Sequence, residues 1–193
     1  MMQLNLFGGG RQALIDERNR RVVLLPYWLD PTSAAQWFAE LYTDISWRGG
    51  PRMMYARQLD VPRLRAHFAR DDPALPPLLR EAIDRVAQAA AAPFSSVGLN
   101  LYRDQHDSVA PHNDKLSELV RGQPIALLSL GATRRMTIRA KLLARRMLHT
   151  DLSAGSVLLM DWNSQLHYDH GIPKQRDAVG SRISIAFRVR TLR

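Results

Sequence analysis

Apolar positions along the chain follow two periods, and the change between them falls at Pro93. From Pro31 onward, Ala34, Trp37, Phe38, Leu41, Tyr42 and Ile45 recur at helical spacing, with Asp30 placed to cap the first turn and Pro31 inside it. A second set, Leu79, Ala82, Ile83, Val86 and Ala90, follows Pro76-Pro77 and predicts another amphipathic helix, which Pro93 ends. The stretch 47–72 between them has no clean period and reads as loops and short strands. Beyond Pro93 the period is two: Val97, Leu99 and Leu101 alternate with Gly98, Asn100 and Tyr102. Further strand-like runs lie at 125–130, 136–139, 156–162 and 181–189. In the last, Ile183, Ile185, Phe187 and Val189 face one way, and Arg182, Ser184, Ala186 and Arg188 the other. Helices followed by short strands predict an α+β domain whose second half is a β-sandwich or barrel. No internal repeat points to a solenoid.

Composition narrows the chemistry. A chain of 193 residues with 46% hydrophobic and 23% charged residues fits one globular domain. Lys and Arg number 27 against 18 Asp and Glu, a net charge of +9 that suits a polyanionic partner or serves solubility. With no cysteine, a bound metal must be held by His, Asp or Glu, and the cytosol is the natural compartment. No run reaches the ~18 apolar residues of a membrane span, and the N-terminus has no secretion pattern, so a cytoplasmic monomer is expected. Residues 1–20, with Gly8-Gly9-Gly10 and mixed charge after it, read as a flexible tail on a single domain over 21–193. Within that domain, 21–95 reads as helical support and 96–193 as the β core.

His112-Asn113-Asp114 places two ligand types two residues apart, on one side of an extended strand end. His170, or its neighbour His167, can supply a third ligand from a distant strand. Two imidazoles and a carboxylate form the facial triad that holds non-haem Fe(II); zinc also accepts such a set. Arg182 and Arg188 distinguish the two. Two guanidiniums on one polar strand face need an anion, and a small dicarboxylate fits, with Asn100 and Tyr102 adding neutral hydrogen bonds. The set reads as an Fe(II)/2-oxoglutarate site.

In order, the motifs are Asn100-Leu101-Tyr102, His112-Asn113-Asp114, Pro124-Ile125-Ala126 leading to Ser129-Leu130-Gly131, Gly155-Ser156-Val157-Leu158-Leu159-Met160, His170-Gly171-Ile172-Pro173, and Arg182 with Arg188. Over this span the chain resembles the AlkB-like Fe(II)/2-oxoglutarate-dependent dioxygenases. The resemblance implies a double-stranded β-helix (jelly-roll) core, N-terminal helices and a nucleotide-recognition lid within 21–95. It makes His112, Asp114 and His170 the iron ligands and catalytic set, and Asn100, Tyr102, Arg182 and Arg188 the 2-oxoglutarate contacts. It also implies dioxygen as oxidant and oxidative loss of alkyl groups from bases such as 1-methyladenine and 3-methylcytosine in DNA, with formaldehyde, succinate and carbon dioxide as products. RNA demethylation, or hydroxylation of a protein side chain or small molecule, are the alternatives. Two departures stand out: Ser184 replaces an Asn common beside the first arginine, and Leu116 stands where a carboxylate often approaches the base, with Glu118 as a substitute or as helical surface.

The lid expectation rests on Trp47, Arg52 and Tyr55: either ring can stack on an extruded base or simply cover the core. Arg134, Arg135, Arg139, Lys141, Arg145 and Arg146 read as a basic run along phosphates. Gln3-Leu4-Asn5-Leu6-Phe7 resembles the short peptide by which bacterial repair proteins dock on the replication sliding clamp, which would place the protein at the nucleoid; the same positions could instead pack as an extra strand.

Overall fold

Asp30 takes the extended conformation of an N-cap, and its carboxylate accepts the Ser33 N–H at 3.0 Å, so helix α1 (Pro31–Asp44) starts where the pattern requires. The computed structural model describes residues 10–49, 51–54, 57–60, 62–142 and 147–191; for 51–54 and 57–60 it describes the backbone only. Helix α1 buries Ala34, Trp37 and Leu41, and α2 (Pro77–Ala90) buries Leu78, Leu79, Ala82, Ile83 and Val86. Tyr42 stays exposed on the flank of the first helix.

The strands form two antiparallel sheets. In the seven-stranded sheet, β1 (Gln12–Glu17), β2 (Arg20–Leu25), β11 (Val157–Met160), β8 (Ile125–Gly131), β13 (Arg182–Arg188), β6 (Ser96–Tyr102) and β5 (Leu64–Ala69) lie side by side in that order. The four-stranded sheet runs β10 (Met147–Leu152), β9 (Arg134–Ala140), β12 (Tyr168–Ile172) and β7 (Val109–His112). A separate hairpin pairs β3 (Pro51–Met54) with β4 (Arg57–Asp60).

Alternation along the central strands sorts side chains into two cores. Val97, Leu99 and Leu101 of β6, Ala126, Leu128 and Leu130 of β8, and Ile183, Ile185 and Phe187 of β13 meet the buried faces of α1 and α2. From the opposite face of the large sheet, Ile125, Leu127, Leu158, Met160 and Ala186 join Met136, Ile138, Leu152, Tyr168 and Ile172 of the small sheet. The architecture is thus helices, large sheet, small sheet, and the polar face of β13 lies on the inner side.

Three expectations change. Residues 12–20 are not a tail: β1 pairs with β2, β2 pairs with β11, and Ile15, Val22 and Leu24 are buried. The intervening charges pair at the edge, Arg21 with Asp16 and Arg20 with Glu17, which hid the apolar alternation. The segment 21–95 is not only helical, because it gives β2 and β5 to the large sheet. The strand expected over 156–162 stops at Met160, and a short helix, α3 (Trp162–His167), takes its place. Gln3-Leu4-Asn5-Leu6-Phe7 lies outside the described residues.

Candidate metal and dicarboxylate site

Strands β7 and β12 bring two imidazoles together. His170 stands opposite His112 in the ladder, with ring centroids 4.9 Å apart. The approach depends on Gly171: a Cβ there would lie 2.8 Å from the Val109 carbonyl oxygen and 2.9 Å from Pro111 N. His112 Nδ1 is 2.9 Å from the Ala110 carbonyl oxygen. Since a carbonyl only accepts, Nδ1 carries the proton, and in the neutral ring Nε2 is the nitrogen that can take a ligand. Burial and the neighbouring His112 outweigh the attraction of Asp114 and lower the His170 pKa to about 4, so this ring is neutral at pH 7, the form that binds metals. His167 ends α3 and does not enter the ladder with His112.

Asp114 lies just past β7 and is buried. Burial raises its pKa, but the charge and hydrogen bonds of Arg188 outweigh that effect and the net shift is downward. Arg188 forks onto it, Nε to Oδ2 at 2.8 Å and one terminal nitrogen to Oδ1 at 2.9 Å. Among the described residues no three His or acidic side chains form a ready-made metal cage, and the Asp114 carboxylate faces this arginine. A carboxylate has about four lone-pair positions, so two bonds from Arg188 leave capacity for a cation. Arg188, expected on the co-substrate, therefore serves Asp114 here. Gly98 leaves it room, since a Cβ at that position would meet the guanidinium at 3.0 Å.

Six residues earlier on β13, Arg182 is completely buried. Its Nε donates to Ser129 Oγ at 2.8 Å; its terminal nitrogens are buried, interact with the Tyr102 hydroxyl, and make no hydrogen bond of good geometry among the described residues. Burial pulls its pKa down to about 10, leaving it charged at pH 7. It lies over the Tyr102 ring at 5.3 Å, and Arg134 lies over the same ring at 5.6 Å. Burial raises the Tyr102 pKa although these cations oppose it, so the phenol is a neutral donor. A buried guanidinium fork beside a phenol suits one end of a small dicarboxylate, and two imidazoles and a carboxylate suit Fe(II). Asn100 neighbours the site, with Oδ1 accepting from Arg63 Nε at 2.8 Å.

A cleft of about 950 Å³ has His112, Asp114, Asn100 and Arg188 in its wall. His170, Tyr102 and Arg182 are buried and do not line it. Arg48, Arg65, Lys115 and Arg190 make the rim basic. Glu118, in a 3-10 turn over Leu116–Glu118, lines the cleft and accepts from Arg190 at 2.7 Å, so it is more than helical surface.

Other expectations part from the structure. Trp47 is outside the cleft lining: its indole donates to the Tyr42 carbonyl at 3.1 Å and its ring packs on the helical core. Arg52 lies on β3, where only the backbone is described, and Tyr55 lies outside the described residues. The basic run is not a row of free cations. Arg134 is fully buried and donates to the carbonyls of Asp104, Asp107 and Pro173, while Arg135 pairs with Asp151 and Arg139 with Asp169. Alternation along β9 puts Arg134 inside, a position that charge alone concealed. Arg145 and Arg146 lie outside the described residues. His106 and His149 are exposed.

Sequence reading missed three supports of the site. Buried Gln165 accepts the Asp114 N–H through Oε1 at 3.2 Å. Lys141 Nζ donates to Asn113 Oδ1 at 2.9 Å and to the Gln165 carbonyl at 2.7 Å. Arg63 is the third. Gln165 and Arg63 belong to no motif, and Lys141 was read only as one of the basic run; a polar residue beside a motif is too common to single out.

Comparison with known proteins gives a consistent answer. Residues 69–188 match the model of the 2OG-Fe(II) oxygenase superfamily. The DNA oxidative demethylase ALKBH2 of Bos taurus is 32% identical over 119 residues, 58% of this chain and 43% of that protein. The alpha-ketoglutarate-dependent dioxygenase alkB homolog 3 of Homo sapiens is 28% identical over 187 residues, 87% of this chain and 65% of that protein. The chain thus spans about half to two thirds of the length of these relatives. Among solved structures, OsALKBH1 superposes with a TM-score of 0.61 at 16% identity, covering 90% of this chain and 99% of that one, a likeness of fold. With its family model matched across more than half its length, the chain belongs to the 2OG-Fe(II) oxygenase superfamily.

Proposed function

We propose that the chain is an Fe(II)- and 2-oxoglutarate-dependent dioxygenase that removes alkyl groups from nucleobases in DNA, on a double-stranded β-helix core. The observation that carries the reading is Arg182: a buried, charged guanidinium whose terminal nitrogens make no hydrogen bond of good geometry among the described residues, on the large sheet whose inner face packs on the sheet that carries His112 and His170. His112, Asp114 and His170 hold the iron. Arg182, with the Tyr102 hydroxyl, binds the far carboxylate of 2-oxoglutarate, and Asn100 donates to the co-substrate from the cleft side. Arg188 keeps Asp114 ionised and oriented. When bound, iron with 2-oxoglutarate and dioxygen supplies the oxidising power. The overall change converts an N-methyl base, 2-oxoglutarate and dioxygen to the bare base, formaldehyde, succinate and carbon dioxide.

Substrate class follows from charge and from the relatives. A cleft rimmed by Arg48, Arg65, Lys115 and Arg190 favours a phosphate backbone, and the bovine relative is named a DNA demethylase. Because the target atom sits in the base stack, the base enters extruded or from a single strand. Arg52 and Tyr55 of the expected lid are the candidates to meet it. The test is succinate release by the iron-loaded protein with methylated single-stranded DNA, matched RNA and a peptide. Release stimulated most by DNA is expected; equal or greater stimulation by peptide would place the substrate elsewhere.

A further inference from the structure

We infer that Arg63 is a positioning residue for the co-substrate, acting through the Asn100 side chain; this rests on the dioxygenase reading above. An Asn amide has an accepting and a donating end, and can turn either toward a ligand. Arginine only donates. The 2.8 Å bond from Arg63 Nε to Asn100 Oδ1 therefore fixes the amide, with its accepting end toward Arg63 and its NH2 turned away. A carboxylate ligand needs donors alone, so this bond converts an ambivalent group into the one a dicarboxylate requires. Both residues stand in the cleft wall, and Asn100 shares its strand face with Tyr102.

The placement of Arg63 is itself supported. It immediately precedes β5, the edge strand whose Arg65 pairs with Asn100 in the ladder. Its terminal nitrogen lies 3.4 Å from the Ser108 carbonyl, and Ser108 N–H donates to the Pro62 carbonyl at 2.8 Å, which ties this corner to the loop after β6. Its charge also reaches Tyr102, where it favours the ionised phenol against the larger effect of burial. Arg63 thus connects the segment that leads out of the β3–β4 hairpin with the floor of the co-substrate site.

The experiment is calorimetric binding of 2-oxoglutarate, without oxygen, to full-length protein loaded with Mn(II), for wild type, Arg63→Met, Asn100→Ala and the double variant. Each single change should weaken binding about tenfold, the loss of one hydrogen bond to a charged group, and the double variant should be no weaker than Asn100→Ala. Mn(II) affinity should be unchanged in all four. Arg63→Lys, which keeps a donor, should recover most of the loss and serves if the methionine variant fails to fold. Unchanged binding in Arg63→Met, or losses that add in the double variant, would overturn the role through Asn100 while leaving the dioxygenase reading intact. No 2-oxoglutarate binding by wild type would overturn both.

Discussion

Arg182 shows how far a single residue departs from what stability alone would choose. A buried charge with unmet donors costs on the order of 1–3 kcal/mol, and Ser129 satisfies only one of its nitrogens. Arg182→Met should therefore leave the melting temperature of the ligand-free protein unchanged or raise it, while removing 2-oxoglutarate binding. Arg182→Lys keeps the charge but not the planar fork and should weaken 2-oxoglutarate by roughly tenfold to a hundredfold, read by calorimetry on metal-loaded protein. A lower melting temperature for Arg182→Met, with binding retained, would make this arginine a structural one. The candidates His112, Asp114, His170, Arg182 and Tyr102 could be singled out in the sequence because each sits in a spaced motif. The service of Arg188 to Asp114 was not, since the partner of a guanidinium is decided by the tertiary approach of β13 to the β7 turn.

At the scale of elements, the site depends on how closely β12 approaches β7. Gly171→Ala would put a methyl group into the backbone of 109–111, which cannot give way as a flexible side chain can. The strands should part and metal affinity should fall at least about tenfold although every candidate ligand is retained; unchanged Mn(II) affinity would show that the strand spacing does not matter. Legibility varied with how much of each element its own pattern specified. Both long helices and the alternation of β6 and β13 were readable because one face is wholly apolar. The six residues of α3 span less than two helical turns and merge into the preceding strand pattern, so periodicity could not separate them. Strand β1 is an edge strand with one buried residue among exposed charges, which a polar tail imitates.

Across the whole molecule, a net charge of +9 gathers partly at the cleft rim and is partly consumed in structural pairs such as Arg134 with its three carbonyls. The charge excess suits a polyanionic partner, but Arg134, Arg135 and Arg139 of the run are held in structural pairs. Gln3-Leu4-Asn5-Leu6-Phe7 adds a possible address at the same scale: a peptide of residues 1–12 should bind the bacterial sliding clamp at micromolar strength, and Leu6→Ala with Phe7→Ala should remove binding without slowing demethylation of a free oligonucleotide. A doubly substituted protein that loses demethylation as well would assign the segment to the fold. We propose that the facing imidazoles, Asp114 and Arg182 form one oxidative demethylation site. Its most direct measurement is product stoichiometry: iron-loaded protein, 2-oxoglutarate and oxygen with single-stranded DNA carrying 1-methyladenine or 3-methylcytosine. One formaldehyde and one coupled succinate are expected for each methyl group lost, and neither product from DNA with His170→Ala; succinate without formaldehyde or loss of the methyl mark would overturn this assignment.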